Sequence, residues 1–444
     1  MIPQKILSIY HNQQIRLVFQ KLLICTLIYL GSTFTPIAPA YSLVADTNES
    51  DVGTEQESTD VNTTPVNTTP DIDDEEKNPD IPEIEGEAKI HVGGALRFNA
   101  FYKSWDEANN DKSGDFIFEV FRIDADGSFQ DLDISLDYRF YSGMNMLRYG
   151  YVGHTFDNGT EVQVGVSRKP FGLLPYAGNS WFFDLTYYLG MEDDADAGIK
   201  IIKSTGNFDI QLAFYKNDEG SYTGQSIDSA RYSYDVSHTD SSEIAGLVGG
   251  PRTNKEINQF NGRVAYKIAN TEIGVSGEYG GLYNATTRDI GDHWATAVHL
   301  NGNYGRFNVT AEALAFAHSP KNPVGQDNRF VVIGAFDAPY KMAAEGSVFL
   351  ANIAYKLPID GKVLDSITFY NDFSYLKKKT PGFADSQQNV AGMLFAAGGL
   401  FTYVDFAFGK NHPWIGPNYQ FALAEGDPNA GWELRFNINL GFYF

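Results

Sequence analysis

The side chains in this sequence that could do chemistry are many charged groups at alternating positions and one cluster of carboxylates. The cluster consists of Glu192, Asp193, Asp194 and Asp196. Clustered carboxylates are the ligands that a hard cation such as Ca²⁺ takes, but this spacing matches no EF-hand loop. We therefore expect a solvated acidic loop and predict no metal site.

Catalytic groups do not occur in the arrangements that hydrolysis requires. The sequence contains neither G-x-S-x-G nor H-E-x-x-H, the motifs of serine hydrolases and zinc proteases. His293 and His299 lie on one face of a predicted strand, but six residues of strand separate them by about 20 Å, too far to share a metal. We predict that the protein is not an enzyme and has no cofactor.

The charged residues are embedded in strands of strict alternation, which is clearest at the end of the chain. Residues 432–444 place an apolar residue at every even position and polar or small residues at most positions between. A period of two indicates a strand between two different environments. The chain has 43 glycines, 14% aromatic residues and 20% charged residues, and its mean hydropathy is -0.28. Such a composition, with many alternating strands, is typical of a membrane β-barrel.

Two segments precede the strands. Three basic residues, Lys5, Arg16 and Lys21, precede an apolar run at 22–31, and the small-residue segment Ala38-Pro39-Ala40 follows it. This order predicts a signal peptide over residues 1–40. Residues 41–87 contain fifteen acidic residues, one lysine and a tandem VNTTP repeat, which predicts a disordered acidic spacer. A peptidoglycan- or partner-binding tail is the alternative. The only cysteine, Cys25, lies in the first segment, so the exported chain would have no thiol.

Residues 88–444 predict an all-β fold, a transmembrane antiparallel up-and-down barrel of sixteen strands. Every second connection is a tight Gly, Asn, Asp or Pro turn, whereas 170–195, 218–255, 319–340 and 411–430 are long. Transmembrane barrels sort their loops in this way, with short periplasmic turns and long extracellular loops. An even strand number returns both ends of the barrel to the short-turn side, so we place the N- and C-termini in the periplasm. One of the sixteen strands is predicted over 341–357.

Three stretches carry a resemblance to a known family: FIFEVFRIDADGSFQDLDISLDYRFY, RYGYVGHTFDNGTEVQVGVSRKPFGLL and DFAFGKNHPWIGPN. They resemble the phosphate-selective porin O and P family of Gram-negative bacteria, and Lys169-Pro170-Phe171-Gly172-Leu173 is the most specific part. The resemblance implies a sixteen-stranded, usually trimeric pore for the passive diffusion of small anions or other hydrophilic solutes. The alternating C-terminus resembles the assembly signal of outer-membrane barrels, with Phe436, Ile438, Leu440, Phe442 and Phe444 as its apolar residues.

Strand parity predicts which cations line the pore. They are Arg97, Arg139, Arg148, Lys169, Lys200, Arg263, Lys267 and Arg435. Inward carboxylates are also predicted, so the signs are mixed, and cross-strand pairing of each charge is the simpler alternative to a selectivity role.

The loop at 170–195 is predicted to fold inward and constrict the channel. Its charged residues are Asp184, Glu192, Asp193, Asp194 and Asp196. Its aromatic middle, residues 181–188, would pack against the inner wall or form a girdle at the outer rim. The acidic end would repel phosphate, and the loop has no lysine or arginine after Lys169.

These features favour an outer-membrane porin with weak selectivity over an anion- or phosphate-selective porin. A structural or adhesive barrel with a plugged lumen is the alternative of another class. The partners expected are outer-membrane lipid and lipopolysaccharide, the barrel-assembly machinery, two further copies in a homotrimer, and small hydrophilic solutes or anions. A net charge of -23 makes nucleic acid an improbable partner.

Overall fold

The alternating segments form the predicted strands in a computed structural model that describes residues 89–219, 231–236, 254–336, 338–361 and 363–444. The predicted signal peptide at 1–40 and acidic spacer at 41–87 lie outside the described residues. Sixteen strands build one barrel: β1 (Lys89–Lys103), β2 (Asp115–Phe129), β3 (Leu132–Tyr141), β4 (Met144–Thr155), β5 (Thr160–Arg168), β6 (Ala195–Thr205), β7 (Phe208–Asp218), β9 (Asn254–Ile268), β10 (Thr271–Asn284), β11 (Ile290–Tyr304), β12 (Phe307–Ser319), β15 (Glu345–Pro358), β16 (Ser366–Lys378), β17 (Ser386–Ala397), β18 (Leu400–Lys410) and β19 (Glu433–Tyr443).

The barrel is closed by its first and last strands. Each barrel strand pairs antiparallel with the next one along the chain, and β19 pairs with β1 from Ala95 opposite Tyr443 to Lys103 opposite Arg435. The main chains of Gly94 and Phe444 exchange two hydrogen bonds beyond the last strand pair, of 2.9 and 3.1 Å. Closure leaves no open edge, which is what a sheet needs to span a bilayer. The prediction of a sixteen-stranded antiparallel barrel is confirmed.

Connections differ between the two rims, as the sequence predicts. Seven short connections of two to seven residues share one rim with both ends of the barrel; they are 130–131, 156–159, 206–207, 269–270, 305–306, 359–365 and 398–399. The other rim carries the four long connections, 169–194, 219–253, 320–344 and 411–432, besides four shorter ones. A five-residue helix, α1 (Glu107–Asp111), lies in the connection between β1 and β2. Among the described residues, the helices are too short and too polar to cross a membrane.

Side-chain alternation separates an apolar outer face from a polar lumen. On β10 and β11, the outward Val275 and Val298 are each 55% exposed, whereas the inward His299 is 5% exposed. On β19, Asn437 and Asn439 are buried toward the lumen, while Phe442 is 52% exposed on the outer face. The outer surface therefore matches the apolar band of a transmembrane barrel.

A three-stranded sheet, which we call the inner sheet, lies apart from the barrel sheet. It contains β8 (Asp235–Val236), β13 (Phe330–Ala335) and β14 (Ala338–Ala343), in the order β14-β13-β8, and all but Ala338 of these residues are buried. The prediction of one strand over 341–357 is wrong: residues 338–343 pair with β13, and the barrel strand begins at Glu345. Alternation could not reveal this boundary, because a strand buried on both faces has no polar side.

The inner sheet, the loop at 169–194 and the barrel wall share a hydrophobic core. Tyr187 of the loop, Tyr234 just before β8 and Tyr340 of β14 belong to the same buried cluster as Phe316 and Leu376 of the wall. Both wall residues lie near the long-loop ends of their strands. Protein side chains therefore fill much of the lumen next to the long-loop rim.

Candidate functional site

An extensive polar site in the barrel is built around residues 169–194, which we call the lumen loop. The loop leaves β5 and turns at Gly172, whose φ of +57° is a left-handed conformation. There the Gly172 N–H donates to Ser276 Oγ at 2.9 Å, and the Leu173 N–H donates to Glu312 Oε2 at 2.8 Å. A Cβ added at Gly172 would lie 2.5 Å from Glu312 Oε2, so both the conformation and the close approach require glycine.

The lumen loop then reaches the opposite wall of the barrel. The N–H groups of Asn179 and Ser180 each donate to Asp372 Oδ2 at 2.7 Å, and Ala177 O accepts from Asn352 Nδ2 at 3.0 Å. Asp372 belongs to β16, which lies eight strands from β5 in either direction around the barrel. The loop is thus held on both sides of the lumen, and its role as a constriction stays a prediction.

The aromatic middle of the loop packs inside the barrel. Phe182 is 1% exposed, and Tyr187 and Tyr188 are also buried. The guanidinium of Arg435 on β19 stacks over the rings of Trp181 and Phe182, at 5.8 and 5.2 Å from their centroids. The alternative of an aromatic girdle at the outer rim is therefore wrong, because the rings are covered by the lumen wall.

The acidic end of the loop is buried and paired. Asp193 Oδ2 accepts from Arg148 Nη2 at 2.6 Å, and Asp193 Oδ1 accepts from Arg168 Nη2 at 2.9 Å. Tyr232 from the connection after β7 donates its hydroxyl to the same carboxylate at 2.8 Å. The expectation of a solvated acidic loop is wrong: Asp193 is 4% exposed and its neighbour Asp194 2%. Arg148 and Arg168 of the barrel wall compensate the negative charge of Asp193, whereas the sequence predicted that the acidic end of the loop repels phosphate.

Two more carboxyls of the loop accept hydrogen bonds: Glu192 from within the loop, and Asp184 from the barrel wall. Glu192 accepts from the Ala177 N–H at 2.8 Å and from the Thr186 hydroxyl at 2.5 Å. Burial raises the pKa of Glu192 to about 7. Asp184 accepts from Asn352 Nδ2 at 2.7 Å.

The predicted pore-lining cations mostly have carboxylate partners. Arg97 pairs with Glu119 at 2.8 Å, Arg139 with Asp137 at 2.9 Å, and Arg263 with Glu272 at 2.6 Å. Arg148 bridges Asp137 and Asp193, and Lys169 contacts Asp194 and Asp196. The cross-strand pairing that the sequence left as the simpler alternative is thus found for Arg97, Arg148 and Arg263. Arg139 instead pairs within its own strand, and Lys169 pairs from the lumen loop.

Three predicted cations differ from that pattern. Lys200 Nζ donates to the carbonyl of Arg168 at 3.0 Å. Arg435 is 8% exposed and has no carboxylate within 4 Å among the described residues. Lys267 lies exposed at the short-turn rim, where its N–H donates to Asn207 O at 2.9 Å.

Several residues of the site were not predicted from the sequence. Arg122 pairs with Asp124 at 2.5 Å on β2, and their spacing of two could have placed both on one face. The ring of Tyr232 lies under two guanidiniums of the wall. Its centroid is 4.5 Å from Cζ of Arg139 and 5.0 Å from Cζ of Arg148. No local pattern signals this contact, because it joins segments more than eighty residues apart.

The lumen next to the short-turn rim is more open. A cavity of about 310 Å³ lies there. Its polar lining residues are Asn179 of the lumen loop and the wall or turn residues Asn303, Arg306, Asn308, Lys356 and Thr368. The lumen loop contributes Asn179 to the lining of this cavity.

The outward side chains of the last strand are those of the predicted assembly signal. Phe436, Ile438, Leu440, Phe442 and Phe444 are half-buried or exposed, and they alternate with buried inward residues. Their role in assembly stays a prediction.

No family model matches the sequence. No curated protein matches it either. Among solved structures, the outer membrane channel DcaP of Acinetobacter baumannii has a TM-score of 0.52 at 12% identity, over 80% of this chain and 97% of that one. OmpF of Salmonella typhi, in complex with daunomycin, has a TM-score of 0.50 at 10% identity, over 80% and 98%. Outer-membrane expressed OmpT of Vibrio cholerae has a TM-score of 0.50 at 12% identity, over 80% and 98%.

At such identities the likeness shows the fold alone, that of the sixteen-stranded barrels of outer-membrane proteins. The resemblance to the phosphate-selective porin O and P family stays a prediction.

Proposed function

We propose that the protein is a porin of a Gram-negative outer membrane that lets small hydrophilic solutes and ions diffuse passively. The observation that carries this proposal is the lumen loop, which is anchored to Glu312 on one side and Asp372 on the other. A loop held across a polar lumen narrows it without closing the barrel at both ends. The likeness to a solved outer-membrane channel supports the same role.

Weak selectivity is the form of this function that the charges favour. Ion selectivity follows from rings of like charge that face the permeating ion. Here Arg139 and Arg148 share Asp137, and Arg148 and Arg168 share Asp193. Each guanidinium thus meets a carboxylate, and the net field on the permeating ion is small.

An anion-selective pore, including a phosphate-selective one, is the second candidate within the channel class. Five arginines lie on the neighbouring strands β1 to β5: Arg97, Arg122, Arg139, Arg148 and Arg168. A basic wall of this kind attracts anions if its carboxylate partners compensate it only in part. The sequence resemblance points to the same solute class.

A structural or adhesive barrel with a plugged lumen is the candidate of another class. Its specific support is the inner sheet, which packs with Tyr187 and Tyr188 against the wall. This core fills the lumen near the long-loop rim, where a solute would have to pass.

The finer assignments complete the proposal. We place the short turns and both ends of the barrel in the periplasm, and we expect a homotrimer inserted by the barrel-assembly machinery beside lipopolysaccharide. We propose that the chain has no enzymatic activity.

Single-channel recording in a planar bilayer tests these functions. The folded protein would be measured in a KCl gradient and then with phosphate added. Steady conductance with a reversal potential near zero supports the weakly selective porin. A reversal potential of the anion-selective sign, with block by phosphate, supports the second candidate. Absence of conductance from heat-modifiable, folded barrels overturns the channel and favours the plugged one.

A further inference from the structure

A group of buried carboxylates lies where the lumen loop, the barrel and the inner sheet meet. Asp194 ends the lumen loop, Asp196 follows on β6, and Asp235 belongs to β8 of the inner sheet. One carboxylate oxygen from each lies within 4.8 Å of the others. The three side chains are 2%, 2% and 1% exposed, so bulk water does not solvate their charges.

Several of these oxygens lack hydrogen-bond partners. Among the described residues, nothing donates to Asp194 Oδ1, to Asp196 Oδ1 or to either oxygen of Asp235. An unpaired carboxylate oxygen in a buried site carries a desolvation cost of several kcal/mol unless a cation or a donor compensates it. These carboxylate oxygens, which come from three separate elements, therefore lack a compensating positive charge among the described residues.

The ion pairs around the group do not balance its charge. Lys169 contacts Asp194, lies 3.9 Å from Asp196 and 3.8 Å from Glu278. On the other side, Arg231 contacts Asp218 and lies 3.8 Å from Asp235.

Lys255 adds a third cation, 3.2 Å from Asp218. Among the described residues, the pairs thus join five carboxylates to three cations, which leaves an excess of two negative charges. Glu219 and Glu256 lie beside the group, and each accepts a backbone N–H of the segment around Asp235. An excess of this size fits a divalent cation better than a single further side chain.

We propose that Asp194, Asp196 and Asp235 bind a divalent cation of the Ca²⁺ type, which ties the inner sheet to the lumen loop. The donors are all carboxylate oxygens, the set that hard cations take, whereas Zn²⁺ and Cu²⁺ prefer nitrogen or sulfur donors. Oxygens up to 4.8 Å apart can all reach one Ca²⁺, whose ligands lie at about 2.3–2.6 Å. Mg²⁺ requires ligands at about 2.0–2.1 Å and a closer set.

A bound cation would cross-link the inner sheet, the lumen loop and β6 inside the barrel. Asp235 pairs with Gly334 in the inner sheet, and the Lys169 N–H donates to Asp194 O at 2.8 Å at the base of the lumen loop. A cation between these two points holds both segments against β6. Its removal would leave like charges facing one another, which pushes the inner sheet away from the loop.

Binding can be tested on the full folded chain in detergent without lipopolysaccharide, after treatment with EGTA and desalting. The probes are Ca²⁺ in titration calorimetry and Tb³⁺, whose emission would be excited through the neighbouring Tyr232 and Tyr234. We expect one saturable site per barrel, with Ca²⁺ displacing Tb³⁺. Asp235→Asn should lower the affinity roughly tenfold or more, because it removes one ligand charge.

Asp405→Asn is the matched control, because Asp405 is also a fully buried lumen carboxylate with an unpartnered oxygen but lies outside the group. It should leave Ca²⁺ affinity unchanged. No saturable binding below roughly 1 mM Ca²⁺, or equal loss of affinity in both variants, would overturn the site. The readout is binding, so it is independent of whether the barrel conducts.

Discussion

The carboxylate of Asp193 lies 2.6 Å from Nη2 of Arg148, and this pair joins the lumen loop to the barrel wall across 45 residues of chain. Arg168 and Tyr232 donate to the same carboxylate. The pair therefore sets two properties at once. It fixes the acidic end of the loop, and it compensates the guanidiniums of the wall.

Asp193→Asn should make the pore more anion-selective. The variant keeps the shape of the side chain. Of the carboxylates that the structure describes, it leaves Arg148 with Asp137 alone and Arg168 with none. We expect the reversal potential in a KCl gradient to move in the anion-selective direction. Loss of the charged partner should also lower the stability of the loop by about 1–3 kcal/mol.

Asp327→Asn is the control for that shift, since Asp327 pairs with the exposed Arg329 outside the lumen site. It should leave the reversal potential unchanged. An identical shift in both variants would mean that overall charge, and not the Asp193 contact, sets selectivity.

Gly172→Val should loosen the lumen loop. The new Cβ would lie 2.5 Å from Glu312 Oε2, and overpacking of this kind costs about 1–3 kcal/mol. We expect larger single-channel conductance and faster cleavage of the loop by an added protease.

Gly206→Val is the matched control, because Gly206 has the same φ of +57° and nothing lies within 4 Å of its Cβ position. Gly206→Val therefore introduces the same left-handed backbone strain as Gly172→Val but no steric clash with a neighbouring side chain. If both variants change conductance equally, strain and not the contact with Glu312 is responsible.

The attachment of the loop should depend on pH through Glu192. Its pKa is raised by burial from 4.5 to about 7, so the folded loop favours the protonated carboxyl. The stabilisation is present in full below about pH 4.5 and is lost as the pH rises towards 7. We expect open events in bilayer recordings to become more frequent across that range and to level off above it.

Glu192→Gln provides the test of this assignment, because glutamine stays neutral at every pH. Its amide oxygen can accept the Ala177 N–H, and its amide NH2 can donate to the Thr186 hydroxyl in place of the present contact. The variant should hold the low-pH behaviour up to neutral pH. A variant with the same pH profile as the original protein would place the titrating group elsewhere.

Removal of Phe444 should weaken the seam between the first and last strands. Its main chain exchanges two hydrogen bonds with Gly94, and unpaired backbone groups are costly where water is excluded. We expect a barrel that assembles less efficiently and unfolds at lower temperature on a heat-modifiability gel. Phe444→Leu keeps both hydrogen bonds and the apolar face, so it should behave like the original protein; equal defects would assign the effect to the aromatic ring.

The barrel itself was predictable because one physical rule governs each of its strands. A strand with lipid on one face and a lumen on the other must alternate, and Arg435 and Phe436 illustrate the two sides. The same rule placed inward five cations whose carboxylate partners the structure reveals. The two rims were predicted separately, from the lengths of the connections. Parity could say where a side chain points but not which partner it meets.

Tertiary structure alone decided what fills the lumen. The inner sheet carries no alternation, since Val332 and Ile333 are both buried. Its residues were therefore assigned to loops, except for the end of β14, which was assigned to a barrel strand. Asp194 and Asp235 are forty-one residues apart in the chain and meet only because two loops fold into the same barrel. The sequence determined the wall, because each wall residue depends on its local environment of lipid or lumen. The contents of the lumen depend on contacts between distant segments, which no local pattern encodes.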